Sequence, residues 1–373
     1  METLISLHKF NMHTTHNQIK TMTIDDHKSH LATLGKFLKQ FRVVESARDE
    51  SLPANDELFS EMERKIDEAV HHNGWFNREN VVFSLQQWSE ALTERNLKLW
   101  LAEYDLSGSG GKTVGIVMAG NIPMVGFHDF ISVLVSGHKV LIKQSSNDQH
   151  LLPVITNYLM QLDSRYEERI KFTKDRLEGF DAVIATGSNN TARYFEYYFK
   201  DKPSIIRKNR NSIAILTGKE TKEELSRLGE DIFRYYGLGC RNVSKLYVPE
   251  DYDFDAFFKA IYEWNPIIHR DKYANNYDYN KAVYLMSKFK LLENGFLILK
   301  EDKSFGSPIA TLFYETYKNE DQLKKHLQKN EDRIQCIVKN DPENGEVRFG
   351  QTQKPQLWDY ADNIDTIKFL SDL

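Results

Sequence analysis

The sequence predicts an α/β protein in which a helical amino-terminal region precedes a largely parallel sheet. Apolar residues recur at helical spacing over about residues 25–101, whereas short apolar runs alternate with helical segments after residue 113. One strand–helix–strand unit, residues 113–143, implies parallel strands joined by a right-handed crossover. A chain of 373 residues is long enough for two such domains.

The amino-terminal part is predicted to be helical. Four apolar residues fall on one helix face at steps of four, three and four: Val81, Leu85, Trp88 and Leu92. A stripe of this kind is more simply a packing surface than a cofactor site. The histidines before it, His8, His13 and His16, fit no common ligand spacing, so we predict no metal site.

Strands and helices alternate after a turn-rich segment at residues 106–112. The predicted strands are 113–118, 139–143, 181–186 and 212–216, and the predicted helices include 127–135 and 151–162. Gly137 can end the first of these helices, because glycine adopts the left-handed backbone conformation at little cost. The turn-rich segment lacks the spacing of a phosphate-binding loop, so it is predicted to be a connection.

Charge and cysteine content exclude several classes of protein. The net charge of −5 argues against a general nucleic-acid binder. Two cysteines are too few for a disulfide framework, and Cys336 lies in an apolar strand-like run where a packed thiol is expected. The sequence shows no apolar leader and no apolar run of about 20 residues, so it predicts a soluble, cytoplasmic protein without a membrane span.

Cys240 is the candidate nucleophile. It follows Gly237 and Gly239, which let the backbone turn sharply and approach a ligand closely. Arg241 and Lys245 lie near it in the sequence, and nearby cations favour the thiolate, which is the nucleophilic form of cysteine. The alternative is a small buried apolar residue, because a lone cysteine is a weak motif.

Residues at two strand ends are candidates for binding a cofactor. Gly187 and Ser188 stand between a strand and a helix, where free N–H groups and the helix dipole favour phosphates, although a capped helix start gives the same pattern. Lys143 ends another strand, and no acidic residue follows it immediately. A carboxylate there would chelate ribose hydroxyls and repel a 2′-phosphate, so its absence favours NADP over NAD.

Asn121 adds a fourth feature, because its amide can donate to a developing oxyanion, although such an asparagine is more often a turn residue. The turn GNIP around Asn121, the lysine at a strand end, the Gly-Ser helix opening and the glycine-preceded cysteine together resemble the aldehyde dehydrogenase superfamily. Four stretches are similar to its LuxC-type acyl-CoA reductase family, known from bacterial luminescence: GNIPMVGFHDFISVLVSGHKVLIK, ATGSNNTARYFEYYF, YYGLGCRNVSKLYVP and FGQTQKPQLWDYADNIDTIKFL.

The resemblance implies an aldehyde-dehydrogenase-like α/β fold with two parallel-sheet lobes, a Rossmann-like cofactor lobe and a catalytic lobe, after a helical amino-terminal region. We therefore predict four parts of the chain. They are residues 1–112 as the helical region, 113–217 as the dinucleotide-binding lobe, 218–339 as the catalytic lobe with Cys240, and 340–373 as a segment that packs back on the body.

The same resemblance implies a mechanism. Cys240 attacks an acyl thioester, and NADPH delivers hydride to the acyl carbon, so that the thiohemiacetal collapses to the aldehyde. Asn121 and the backbone N–H of Cys240 form the oxyanion hole. The residues implied at the cofactor are Lys143 and Ser146 at its adenosine end and Gly187 and Ser188 at its pyrophosphate or adenine.

The sequence departs from the superfamily pattern at three points. Residues 206–216 contain no carboxylate, whereas hydrolytic members place a water-activating glutamate there, so hydrolysis of the acyl-enzyme should be slow. The run Arg207–Arg210 in this stretch either meets phosphates of CoA or of the cofactor, or forms a solvated basic face. Lys303 replaces the glutamate that contacts the nicotinamide ribose, and Ala192 replaces the second glycine of the Gly-Ser motif.

We therefore predict an NADPH-dependent reductase of fatty acyl thioesters, with NADH the less favoured cofactor. Two alternatives stay open: a CoA-acylating aldehyde dehydrogenase working in the oxidative direction, and a nucleotide-binding scaffold without catalysis. The substrate is an acyl-CoA or an acyl-protein thioester. Candidate partners are an acyl-transferring or synthetase protein and a second copy of the chain in a homo-oligomer.

Overall fold

Two β-sheets form the body of the protein, and a layer of helices precedes them in the chain. The computed structural model describes residues 22–343 and 345–373. Its helices are α1 (Ile24–Lys39), α2 (Asn55–His72), α3 (Arg78–Ala91), α4 (Glu94–Leu101), α5 (Phe127–Val135), α6 (Leu151–Leu162), α7 (Asn189–Tyr198), α8 (Lys222–Phe233), α9 (Phe254–Ala260), α10 (Asp271–Met286), α11 (Glu320–Gln328) and α12 (Thr366–Ser371). Its strands are β1 (Thr113–Val117), β2 (Lys139–Lys143), β3 (Ile170–Phe172), β4 (Ala182–Thr186), β5 (Ser204–Arg207), β6 (Asn211–Ile215), β7 (Val243–Pro249), β8 (Leu291–Glu293), β9 (Ile298–Glu301), β10 (Thr311–Tyr317), β11 (Ile334–Lys339) and β12 (Val347–Arg348).

The first sheet has five strands, all parallel, in the order β3-β2-β1-β4-β5. Strand β4 is buried from Ala182 to Ala185, as expected for a parallel strand covered on both faces. Val117, the last residue of β1, lies opposite Lys143 of β2 and Ala185 of β4. The strands therefore end at one edge of the sheet, where parallel α/β sheets bind their ligands.

The second sheet has seven strands in the order β12-β11-β6-β7-β10-β9-β8, parallel except for the β8–β9 pair. The predicted strand at residues 212–216 forms β6, but it pairs with β7 and β11 and not with the first sheet. The sequence-based boundary at residue 217 had placed this strand in the first lobe. An apolar run predicts a strand but not its neighbours, and the chain crosses between the sheets at residues 208–210.

The amino-terminal helices pack on the first sheet. A capping box starts α1, because Thr23 Oγ1 accepts the Asp26 N–H at 3.1 Å while the Asp26 carboxylate accepts the Thr23 N–H at 2.9 Å. The predicted stripe on α3 is confirmed as a packing surface, since Val81, Leu85 and Leu92 are buried in the core that also contains residues of β1 and β2. This core joins the helical layer to the first sheet.

The elements predicted after residue 113 are confirmed, and the fold class with them. Helices α5 and α6 have the predicted bounds, and Gly137 ends α5 with φ at +78°. Cys336 is buried on β11, as expected of a packed thiol. Among the described residues no helix is long and apolar enough to cross a membrane, whereas His8, His13 and His16 lie outside them.

The closing segment lies against the helical layer and the first sheet. Leu357, Ile367 and Leu370 are buried in the same core as the amino-terminal helices. Trp100 Nε1 donates to the Tyr360 hydroxyl at 2.7 Å. Arg207 at the end of β5 donates to the Ala361 carbonyl, so the segment also contacts the first sheet.

Candidate active site

The carboxyl edge of the first sheet meets the loop that carries Cys240. Asn121 lies in the turn after β1, and its Nδ2 donates a hydrogen bond to the Leu238 carbonyl at 2.7 Å. Leu238 is two residues before Cys240, so the structure brings Asn121 next to the loop of the candidate nucleophile. An amide nitrogen carries two hydrogens, and one of them remains for an oxyanion.

Asn242, which the sequence did not single out, holds the Cys240 loop in place. Its buried amide accepts the Gly239 N–H at 2.8 Å and donates to the Arg234 carbonyl at 2.8 Å. Gly237 turns the loop with φ at +77°, in the left-handed region that favours glycine. The Cys240 N–H has no acceptor within residues 22–343 and 345–373, so it is free to donate to a ligand.

Two further residues support the reacting loops through backbone contacts. Ser212 Oγ donates to the Cys240 carbonyl at 3.0 Å. The Asp148 carboxylate accepts the Met124 N–H at 2.8 Å and fixes the turn that contains Asn121. Burial raises the pKa of Asp148 to about 6. The only sequence signal for Asp148 is its place at the end of the polar run after β2.

The charge of Cys240 depends on how well water solvates its sulfur. The residue is exposed, yet protein atoms crowd the sulfur enough that desolvation raises the pKa of the thiol to about 11, with smaller rises due to Cys336 and Asp362. Arg241 and Arg207 lower this pKa but do not compensate. Surface exposure counts the whole residue, whereas hydration of the sulfur decides whether a thiolate is stable. Burial of the sulfur thus opposes the expected effect of the neighbouring cations, which favour the thiolate.

Lys245, the second cation expected beside Cys240, is directed into the protein. Its side chain is fully buried on β7, and Nζ contacts Glu315 Oε2 at 2.7 Å. The same Nζ lies 4.9 Å from the centre of the Tyr247 ring. Lys245 is therefore paired with Glu315 inside the second sheet.

The run Arg207–Arg210 is not a uniformly solvated face, because its two arginines contact other parts of the protein. Arg207 is buried, its Nη2 lies 2.7 Å from Asp129 Oδ1, and its Nη1 donates to the Ala361 carbonyl at 2.7 Å. Arg210 Nε lies 3.5 Å from an oxygen of Asp362. Only Lys208 of this run forms an exposed pair, with Glu196. Sequence spacing showed the charges but not their partners, which are distant in the chain.

The predicted cofactor residues lie along the carboxyl edge of the first sheet. Lys143 ends β2, and its Nζ donates to the Asp175 carbonyl at 2.9 Å, while Ser146 is exposed in the following loop. Ser188 caps α7, since its Oγ accepts a backbone N–H at 3.2 Å, which matches the alternative of a capped helix start. A Cβ on Gly187 would come within 3.0 Å of the side chains on the first turns of α7.

This edge fits a dinucleotide. Gly187 allows the end of β4 to lie close to α7, and the first N–H groups of that helix face the edge where three parallel strands end. Anionic groups are stabilised at such a helix start by the free N–H groups and the helix dipole. The geometry brings Gly187, Ser188, Lys143 and Ser146 to one edge, but their contacts with a cofactor stay a prediction.

A family model matches the region that contains these residues. Residues 102–261 match the family model of acyl-CoA reductase (LuxC). The matched segment contains Asn121, Lys143, Gly187 and Cys240, and the resemblance inferred from the sequence is confirmed. No curated protein matches the chain significantly.

Solved structures show that the fold is that of the aldehyde dehydrogenases. Aldehyde dehydrogenase 21 from Physcomitrella patens is 13% identical, with a TM-score of 0.60 over 94% of this chain and 88% of that one. An oxidoreductase from Marinobacter aquaeolei is 12% identical, with a TM-score of 0.62 over 91% and 80%. An NAD-dependent aldehyde dehydrogenase from Sinorhizobium meliloti is 12% identical, with a TM-score of 0.59 over 89% and 72%. The LuxC match and this fold support redox chemistry on acyl thioesters or aldehydes.

Proposed function

We propose that this protein reduces a fatty acyl thioester to the aldehyde with NADPH, through an acyl group on Cys240. The observation that carries the proposal is the meeting of the Cys240 loop with the carboxyl edge of the first sheet, where Asn121 contacts Leu238 at 2.7 Å. A reactive sulfur, two hydrogen-bond donors and a dinucleotide edge are the parts that this reaction needs.

Acyl transfer is the first step. The Cys240 sulfur attacks the thioester carbonyl, the thiol proton leaves with the departing thiol, and one thioester replaces another at nearly equal energy. Asn121 and the free N–H of Cys240 donate to the oxygen that becomes negative. Because burial raises the pKa of the free thiol to about 11, only a small fraction of the sulfur is charged at neutral pH before the substrate binds.

Water is poorly activated at this site. Asp129 is held by Arg207 at 2.7 Å, and Asp362 is held by Arg210 at 3.5 Å, so these carboxylates are engaged with guanidinium groups. A general base must be free to take a proton from water. Hydrolysis of the acyl-enzyme is therefore slow, and reduction can compete with it.

The cofactor would lie along the edge of the first sheet, with Lys143 and Ser146 at its adenosine end and Gly187 and Ser188 near its phosphates. When bound, it supplies the hydride that converts the acyl group to the aldehyde level. The lysine and the hydroxyl favour a 2′-phosphate, and hence NADPH over NADH, because no carboxylate follows Lys143 directly. The similar structure described as NAD-dependent supports a nicotinamide cofactor for this fold.

The thioester donor is proposed to be an acyl-CoA or an acylated protein, and an acyl-transferring or synthetase protein is the corresponding partner. The reverse reaction, in which an aldehyde is oxidised and its acyl group passed to CoA, uses the same residues. Metabolite levels select between the two directions. The cytoplasmic location and the homo-oligomer stay predictions.

A rate measurement tests the proposal. The protein is mixed with a medium- or long-chain acyl-CoA and NADPH, and oxidation of NADPH and formation of aldehyde are followed. Cys240→Ala should abolish both, whereas Cys336→Ala, which removes the other cysteine, should still oxidise NADPH. An undiminished rate in Cys240→Ala would rule out the mechanism. Failure of the wild type with every acyl thioester would favour a nucleotide-binding scaffold.

A further inference from the structure

One segment of the helical layer contacts both loops of the candidate active site. Residues 73–84, which we call the bridging segment, run from the residue after α2 to the middle of α3. The segment reaches the turn at residues 120–124, which carries Asn121. It also reaches the loop at residues 234–240, which carries Cys240. Side chains of the bridging segment make all of these contacts.

Two buried side chains of the bridging segment hold the Asn121 turn. Ser84 is 4% exposed, and its Oγ donates to the Pro123 carbonyl at 3.1 Å. Asn73 is 8% exposed, and its Nδ2 donates to the Gly120 carbonyl at 3.3 Å. One of these carbonyls lies before Asn121 in the chain and the other after it, so the turn is held on both sides of the oxyanion donor.

The start of the Cys240 loop is held by the same segment. Asn77 Nδ2 donates to the Tyr236 hydroxyl at 3.0 Å. Glu79 Oε1 lies 3.1 Å from Arg234 Nη1. Tyr236 and Arg234 lie four and six residues before Cys240. The hydrogen bond and the ion pair therefore attach this loop to the start of α3.

The backbone of both loops is left-handed where the bridging segment contacts it. The φ angle is 62° at Met124, which directly follows Pro123, 54° at Tyr235 and 58° at Tyr236. Left-handed conformations of residues other than glycine cost energy and persist only where the surroundings fix them. Each of these three residues is bonded by the bridging segment or is next to a residue that is. The segment is therefore part of what fixes the two loops.

We propose that the bridging segment holds the oxyanion donor Asn121 and the nucleophile Cys240 at a fixed separation. Ser84 and Asn73 are positioning residues for the donor, and Asn77 is a positioning residue for the nucleophile. The inference rests on the proposed function, because it gives the helical region a role in that reaction. None of these three side chains needs to touch the substrate, since a displacement of about 1 Å at the reacting groups can slow a reaction by up to about 10²-fold.

Hydrogen exchange of the free protein, read by mass spectrometry, tests the proposal at the Asn121 turn. Ser84→Ala removes the donor to Pro123 and should speed exchange in peptides that cover residues 119–125 by about twofold to tenfold. Ser89→Ala is the matched control, because Ser89 lies five residues further along α3 and is 8% exposed. Exchange of the turn should not change in this control.

A second variant tests the Cys240 loop. Asn77→Ser keeps a side-chain oxygen that can cap α3 and removes the amide donor to Tyr236. Exchange in residues 234–240 should rise by a similar factor. Exchange at the wild-type rate in its own loop, in either folded variant, would overturn the proposal, as would an equal rise throughout the chain. If Ser84→Ala does not fold, Asn77→Ser decides alone.

Kinetics separate positioning from a merely structural role. Where reductase activity is found, Ser84→Ala should lower kcat by about tenfold with KM for the acyl-CoA nearly unchanged, whereas Ser89→Ala should retain kcat. In an Asn121→Ala background, Ser84→Ala should cost no more than about twofold, because the group that it positions is gone. Equal losses of kcat in the two backgrounds would show that Ser84 does not act through Asn121 and would overturn the inference.

Hydrogen exchange needs neither cofactor nor thioester, so failure of this inference can be told from failure of the proposed function. The expected exchange changes in a protein without reductase activity would support the bridging role and refute only the proposed function. Reductase activity with unchanged exchange and unchanged kcat in Ser84→Ala would refute the bridging role alone.

Discussion

In the proposed reaction, two donors near Cys240 stabilise the acyl oxygen as it becomes negative. One is the Cys240 N–H, and the other is the second hydrogen of the Asn121 amide, whose first hydrogen is fixed on the Leu238 carbonyl at 2.7 Å. The fixed hydrogen bond orients the amide before substrate arrives, and preorganised donors need no reorganisation during reaction. Asp148 supports the same turn from the other side.

Removal of the side-chain donor should therefore affect turnover more than binding. We expect Asn121→Ala to lower kcat by about 10²–10³-fold with a smaller change in KM, because the donor acts mainly on the charge of the transition state. Steady-state kinetics with acyl-CoA and NADPH measure this split. Asn276→Ala, on α10, is the control and should retain kcat. A rise in KM alone would place Asn121 in substrate binding instead.

At the scale of residues, the sequence indicated two loops that the structure brings together, but it did not indicate how their charged residues are paired. The types and spacing of Asn121 and Cys240 indicated a nucleophile and its oxyanion donor, and the structure brings their loops together. The charge of Cys240 depends on how many protein atoms surround the sulfur, which no local pattern contains. Lys245 shows the same limit, since it lies five residues from Cys240 in the sequence but its partner in space is Glu315.

At the scale of elements, the buried pair of Arg207 and Asp129 joins the end of β5 to α5. Both side chains are below 10% exposed, and their closest atoms are 2.7 Å apart. Arg207 Nη2 also donates to Thr366 Oγ1 at 3.0 Å, at the start of α12. One guanidinium group thus connects the first sheet, a covering helix and the carboxyl-terminal segment.

Loss of one member of this pair should destabilise the protein strongly. Arg207→Met leaves the Asp129 carboxylate buried without its partner, and we expect the free energy of unfolding to fall by about 3–5 kcal/mol. The double variant Arg207→Met with Asp129→Leu should recover much of this loss. Denaturant unfolding measures both values.

The neighbouring residue provides the control for this prediction. Lys208 pairs with Glu196 on the surface, with both side chains about half exposed. Lys208→Met should therefore change the free energy of unfolding by less than about 1 kcal/mol. Equal losses of unfolding free energy in Lys208→Met and Arg207→Met would show that the buried Arg207 pair stabilises the protein no more than the exposed Lys208 pair.

Elements themselves were predictable where periodicity is strong. The bounds of α5 and α6 followed from their apolar patterns and from Gly137. The sheet to which β6 belongs could not be predicted from its apolar pattern, because its pairing with β7 and β11 depends on contacts remote in sequence. Asn242 was overlooked for a related reason: its role is to bond backbone groups that meet only after folding.

At the scale of the whole molecule, a buried histidine links the helical layer to the first-sheet region. His27 of α1 is 1% exposed, and its Nδ1 lies 3.0 Å from the Tyr166 hydroxyl. Desolvation lowers the pKa of His27 from 6.5 to about 3. The folded protein therefore keeps this ring neutral at pH values where the unfolded chain binds a proton.

Stability should consequently fall as the pH drops below 6.5 and continue to fall towards pH 3, because the unfolded state takes up protons that the folded state does not. Between pH 7 and pH 5 we expect His27 to contribute a loss on the order of 2 kcal/mol in the free energy of unfolding. His27→Gln should reduce this pH dependence, and His71→Gln at an exposed position of α2 serves as the control. Identical pH dependence in wild type and His27→Gln would contradict the assignment.

The architecture as a whole was within reach of the sequence, since strand–helix alternation and four separated motifs agree on an aldehyde dehydrogenase fold. The path of the closing segment could be predicted from the sequence only in part. Its packing on the body was expected, but the left-handed backbone at Asp362 and Asn363 was not predicted from the sequence. The arginines that contact residues 359–362 are distant from this segment in the chain: Arg207, Arg210 and Arg241.

The central claim is that Cys240 carries the acyl group, and trapping that group tests it most directly. The protein is incubated with an acyl-CoA without NADPH and digested, and the Cys240 peptide is weighed by mass spectrometry. We predict that its mass rises by that of the acyl group and that addition of NADPH removes the acyl group and releases aldehyde. Aldehyde formation with no acyl group on Cys240 at any time would contradict the account.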